Sequence, residues 1–176
     1  MSTLKVDNIL DTSGNDTVTG KILQVQYTLN STTSSQTTVQ TQPTAINNTS
    51  VNITPSSTSS KILLQAHWMG EVSSNTWNLM FCFLRGSTYL GATGGDNRYS
   101  GISTMLVSYY STDYNSTPEG TSLFYVDSPA TTSEITYHLG INGSGTTVYT
   151  NRTVTDTNTA AFERGVTVIT AMEIAG

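Results

Sequence analysis

Residues 61–72 read KILLQAHWMGEV. In an extended chain Ile62, Leu64, Ala66 and Trp68 fall on one side and Leu63, Gln65, His67 and Met69 on the other, the period of two that belongs to a strand. The first side is apolar throughout and is expected to line a core. The next apolar stretch, TWNLMFCFLRG (76–86), is apolar on both sides: Trp77, Leu79, Phe81 and Phe83 alternate with Met80, Cys82 and Leu84. A strand buried on both faces is either central in a fold or pressed against another subunit. The sequence reading assigns one face to a partner, with Trp77, Phe81, Cys82 and Phe83 as the expected subunit interface.

Working outward, the same kind of segment recurs on both sides. KILQVQYT (21–28) and SVNIT (50–54) precede it, with TPSSTSS (54–60) as a loop, STTSSQTT (31–38) as a loop or edge strand and Pro43 limiting any long strand before Asn48. STYLG (87–91) is expected to turn back on the 76–86 strand, and ISTMLVSYY (102–110) is a further apolar strand. TSLFYVD (121–127), SEITYHLGI (133–141), TTVYTNRT (146–153) and RGVTVITAMEI (164–174) complete the series, with Asn142-Gly143-Ser144-Gly145 reading as a hairpin turn between the second and third of these. Eight to ten short strands, turn signals between them and no amphipathic helix predict an all-β fold. The expected architecture is an antiparallel β-sandwich, jelly-roll-like, over residues 21–176, with a short strand-like N-terminal anchor over 1–20.

Composition narrows the function. Thr, Ser and Asn make up 68 of 176 residues, while only 11% are charged and the net charge is −5. Seven Lys and Arg in all leave no basic face able to displace counterions from phosphates, so nucleic acid is not an expected partner. No apolar run approaches the ~18 residues of a membrane helix, and Lys5, Asp7 and Asn8 interrupt the apolar positions that an export signal would need at the start. The single cysteine cannot staple its own chain, and with two histidines and no CxxC pair no metal site or cofactor is expected. No nucleophile elbow, zincin motif or phosphate loop is present. Asp96, Asp113, Glu119 and Asp127 could in principle include a glycosidase pair, but nothing in the sequence fixes their separation. No enzymatic activity is expected.

One cluster could bind a ligand. Asp96, Asn97, Arg98 and Tyr99, with Tyr109, Tyr110, Asp113, Tyr114 and Asn115, combine flat aromatic faces with short polar groups, a mixture that suits sugar rings and their hydroxyls. The alternative is that these are loop residues of a Tyr-rich chain that pack on neighbours.

Several segments together resemble a family of small structural proteins of tailed bacteriophages, notably those of marine bacteria and cyanobacteria, described as tail fibre or virion proteins. They are TLKVDNILDTSGN at the start, TGKILQVQ, SVNITPSSTSSKILLQA, FYVDSPATTSEITYHLGI, TVYTNR and the closing TAMEIAG. The resemblance runs in order along nearly the whole chain and is weakest over about 93–118. It implies a virion component, assembled in the host cytoplasm, whose N-terminal piece (Leu4, Val6, Ile9 and Leu10) attaches to other virion proteins while a β-sandwich projects, as a homotrimer. Two roles remain open under it: a fibre or spike that adsorbs to host-surface glycan, or a capsid-decoration, collar or adaptor protein with no ligand.

Overall fold

The computed structural model describes residues 12–13, 20–38, 42–73, 79–92, 98–104 and 116–176. Eleven strands are formed among them: β1 (Ile22–Asn30), β2 (Ser34–Thr37), β3 (Thr44–Ile53), β4 (Lys61–Val72), β5 (Met80–Arg85), β6 (Thr88–Leu90), β7 (Ser103–Thr104), β8 (Glu119–Asp127), β9 (Ile135–Asn142), β10 (Thr147–Thr150) and β11 (Thr167–Ile174). They build two antiparallel sheets. The larger runs β1-β11-β4-β10-β2 with β8 on the other side of β4, and the smaller runs β3-β9-β5-β6 with β7 also on β5. The long strands β1, β3, β4, β5, β8, β9 and β11 alternate between the two sheets in chain order, which is the winding of a jelly roll. The expected all-β sandwich is therefore the fold.

The core forms where the expected period of two meets in space. Ile62, Leu64, Ala66 and Trp68 of β4 are buried against Phe81, Phe83, Leu139 and Ile141 of the facing sheet. Trp68 is its largest member. Its ring stands 5.1 Å from that of Phe81, and its indole N–H donates to Thr150 Oγ1 at 3.0 Å, so the one polar atom of the side chain is satisfied. The indole is seated over Gly70, where an added Cβ would collide with both the Trp68 ring and the Tyr149 carbonyl. Opposite it, Tyr137 and Asp127 tie the sheets together. The Tyr137 hydroxyl donates to Asp127 Oδ2 at 2.6 Å, and Arg85 donates to the same oxygen at 3.1 Å.

Three expectations need correcting. β5 is a central strand, paired with β9 on one edge and with the short β6 and β7 on the other, and its residues are buried within the one chain. Phe81 and Phe83 point into the core, and Cys82 is buried as well, so none of the three offers a surface to a partner subunit. Trp77 lies outside the described residues. Burial in apolar surroundings pushes the Cys82 thiol up to about 12, which makes it an inert core residue.

The turn at Asn142–Gly145 does not make a hairpin. β9 pairs with β3 and β5, while β10 pairs with β2 and β4 in the other sheet. Both flanks of β9 are already occupied, so the chain uses the same turn residues to cross between sheets. The corner is held by Thr38, whose backbone N–H donates to the Thr146 carbonyl and whose hydroxyl accepts from the Gly145 N–H. Finally, β3 begins directly after Pro43 and absorbs its polar residues through a register shift between Ala45 and Ser50, with Asn48 at φ 60°. Pro43 bounds that strand instead of interrupting it.

Candidate functional site

The sequence singled out two loops and a terminal anchor. Of the loop cluster, Arg98 is exposed and Tyr99 half-buried. Asp96, Asn97, Tyr109, Tyr110, Asp113, Tyr114 and Asn115 lie outside the described residues, as do Leu4, Val6, Ile9 and Leu10. The described residues contain a different candidate, on the outer face of the larger sheet.

Backbone register defines that face. Ile169, Ala171 and Glu173 of β11 are buried toward the smaller sheet, so Val168, Thr170 and Met172 point outward. Reading across β1, β11, β4 and β8, one outward row is Val25, Met172, Leu63 and Val126. The next is Tyr27, Thr170, Gln65 and Phe124, and the third is Leu29, Val168, His67 and Ser122. The side chains at the two margins are the bulky ones. Tyr27 is 69% exposed and Phe124 62%, standing as two ridges on either side of the lower Thr170 and Gln65. A hollow of about 190 Å³ lies beside Phe124, lined by Gln65, His67, Ser122, Val168 and Thr170. The His67 ring shares a 3.0 Å hydrogen bond with Ser122, which fixes the floor of the hollow at that side.

β1 is turned inside out with respect to ordinary sandwich patterning. Val25, Tyr27 and Leu29 face solvent, while Gln24, Gln26 and Thr28 face the smaller sheet. On that inward side Gln26 and Thr28 border an open cleft of about 360 Å³ with Ser50 and Asn52 of β3. A slip of one residue against β11 would exchange the two sets. The register is instead pinned at both ends. Gln24 Nε2 donates to Glu173 Oε2 at 2.7 Å, and the Asn30 carbonyl accepts from Asn151 Nδ2 at 2.8 Å.

Those pins belong to one buried carboxylate and one buried amide, neither of them singled out from the sequence. Glu173 Oε1 accepts from the Ser56 N–H, the Ser56 hydroxyl and the Ser60 hydroxyl at 2.6–2.7 Å, which closes the β3–β4 loop over that end of the sandwich. Burial by itself would raise its pKa; the hydrogen bonds from Gln24, Ser56 and Ser60 outweigh this and hold it down at about 2. Glu71 performs the same task at the far end of β4. Its Oε1 accepts from the N–H and hydroxyl of Thr117, and its Oε2 from the Val154 N–H. Asn151, buried at φ 61°, bonds the carbonyls of Asn30 and Thr32 through its amide nitrogen and accepts from the Thr167 hydroxyl.

Glu71 lies on the outward side of β4, so its burial means that the chain covers its own sheet there. The cover is the segment from Asn151 to Val166. Gly165 packs against Met69, Arg152 lies 5.0 Å above the Tyr149 ring, and Arg164 grips Asp156 through two bonds of 2.6 and 2.7 Å. Beyond His67 this cover stops, and among the described residues no segment lies over the apolar rows.

Among the described residues, no group of three or more His, Cys, Asp or Glu side chains could hold a metal ion. No helix of the described residues is long and apolar enough to cross a membrane. No protein-family model matches the chain, and the search of curated proteins finds no match. Among solved structures the chain is similar to a structure of the infectious bursal disease virus Gx strain at 11% identity and a TM-score of 0.35. The alignment covers 99% of this chain and 43% of that one, so the chain spans less than half the length of that neighbour. A likeness this weak carries no weight for function.

Proposed function

We propose that the chain is a non-enzymatic structural protein of a tailed-bacteriophage virion. It serves as a homotrimeric fibre or spike that joins other virion proteins through residues 1–20 and presents its β-sandwich for adsorption to host-surface glycan. The observation that carries the reading is the use to which the sandwich puts its polar side chains. Glu71, Glu173 and Asp127 are each occupied by donors that tie loops or sheets together, while the sheet surface left open is apolar. That is the economy of a packing module, in agreement with the resemblance to virion proteins.

The 1–20 segment leads directly into β1, at the edge of the larger sheet, so an attachment made there pulls on a strand whose register is pinned at both ends. Glycan adsorption rests on the Tyr-rich loops over 93–101 and 109–119.

The test is immunogold microscopy of virions from a phage that encodes the chain, using antibody raised against the recombinant protein. Label at tail tips or fibres is the expected result. Label over the capsid shell or collar would replace this role with decoration or adaptor, and absence of the protein from purified virions would overturn the virion reading.

A further inference from the structure

The bare outer face of the larger sheet is large for a monomer. Tyr27, Leu29, Val25, Phe124 and Val126 are each at least half exposed. With whole aromatic side chains offering ~150–250 Å² apiece and these five residues half to two-thirds exposed, the patch amounts to about 500–600 Å². The largest patch on a typical monomer is ~300–600 Å², whereas one side of a stable protein–protein interface is ~800 Å². The patch is thus at the top of the monomer range and approaches the size that a lasting partner covers.

Its chemistry points to which partner. The centre of the face carries no Asp, Glu, Lys or Arg; between the apolar residues are Gln65, Thr170, Ser122 and His67, each of which both donates and accepts hydrogen bonds, the histidine in its neutral form. Such a surface can meet a copy of itself without opposing like charges and without leaving a donor facing a donor. An aromatic-rich centre depleted of charge is also the composition of interface cores. Relief argues the same way. Tyr27 is a ridge at one margin and the hollow lies between it and Phe124 at the other, so they are different places on one face and the ridge of one copy can meet the hollow of the next, a head-to-tail contact that gives a ring where the rotation between copies closes and an open chain where it does not.

We propose that the outer face of β1, β11, β4 and β8 is the surface on which copies of this chain associate, with Tyr27 of one copy entering the hollow between Phe124 and Val168 of the next. This rests on the homo-oligomer reading above and supplies its interface, on the opposite sheet from the residues first expected to form it. It also accounts for β1: Val25, Tyr27 and Leu29 face outward because that side is interior in the assembly.

The experiment is light scattering of the purified full chain at micromolar concentration, alongside Tyr27→Glu, Phe124→Glu and, as a control on the other sheet, Thr88→Glu at an exposed position of β6. Wild type and T88E are expected as trimers. Each face variant is expected to be a monomer with unchanged circular dichroism, its self-association weakened by ~100-fold or more. If the wild type is monomeric, the homo-oligomer reading itself fails. If it is trimeric and both face variants remain so, only the placement of the interface is overturned.

A second measurement needs no variant. In hydroxyl-radical footprinting of the wild type, oxidation of Tyr27, Phe124 and Met172 is expected to fall as the protein is concentrated through its association range, while Phe162, on the Asn151–Val166 cover, is unchanged. Equal oxidation of the face at both concentrations would overturn the proposal even if the variants failed to fold.

Discussion

The outer side of β4 is treated in two ways along one strand. Past Met69 the chain folds its own Asn151–Val166 segment over the sheet and spends Glu71 and Asn151 on holding it there. Before His67 it leaves Leu63 and its neighbours uncovered, flanked by Tyr27 and Phe124. The difference is not one of hydrophobicity, since the bare end is the more apolar. Among the described residues no segment covers the second end, which is the observation behind placing the proposed interface there. On β8 the bare face shows in the alternation itself: core-facing Leu123 is 1% exposed and outward Phe124 62%.

The first way to break this comparison is at the shared core, beneath both ends. Trp68→Ala removes the largest buried ring and its bond to Thr150. It is expected to cost about 4 kcal/mol of unfolding free energy in denaturant titrations. A loss below about 1 kcal/mol would mean that the core is not packed around this residue.

The covered end is next. Glu71→Ala strands the backbone donors of Thr117 and Val154, and is expected to cost about 2 kcal/mol. Amide exchange over 151–166 should accelerate well before that of β9. Uniform acceleration across the molecule would show that the cover and the sandwich open together.

Glu173 sharpens the comparison through pH. Its carboxylate is held at about 2, below the ordinary 4.5, so the ionised form is the one the folded state favours. The stabilisation is therefore complete above about 4.5 and disappears as pH falls from there through about 2. Glu173→Gln should flatten the acid limb of the stability profile over that window while leaving the Glu71 end unaffected. An unchanged acid limb would remove Glu173 from the account.

The smallest effect belongs to the bare end. Phe124→Ala, measured at concentrations too low for association, is expected to change stability by no more than about 0.5 kcal/mol, whereas Leu123→Ala should cost about 3 kcal/mol. A large loss from F124A in the dissociated chain would place that ring in the fold's own packing.

Much of the sandwich was legible because β4, β8, β9 and β11 alternate so regularly that the apolar side could only be a core. What alternation cannot say is which side of an edge strand faces inward. Val25, Tyr27 and Leu29 read like any half-buried strand, and only the pairing with β11 reveals that they point outward. The apolar residues of TWNLMFCFLRG carried the opposite ambiguity: burial on both sides is common to a central strand and to an interface strand, and the burial of Phe81, Cys82 and Phe83 within a single chain favours the first. The Asn142–Gly145 turn misled because a corner between sheets and a hairpin within one demand the same backbone freedom. Glu71 and Glu173 left one faint signal, a carboxylate inside an otherwise apolar run, in MGEV and AMEI.

The pairing of β1 with β11, which joins Ile22 to Ile174, also has a kinetic meaning. β4, the middle of the larger sheet, lacks one flank until β11 arrives, and among the described residues β1 has no hydrogen-bonding neighbour in the sheet before then. Closing loops of this length is slow, and β-rich folds dominated by distant pairings mature in milliseconds to seconds. During that interval Val25, Tyr27 and Leu29 are attached to an unpaired strand, the condition under which nascent chains associate out of register. Under the proposed self-association, contact before β11 docks is misassembly and contact after it docks is the productive event, so β11 acts as the clock that separates the two.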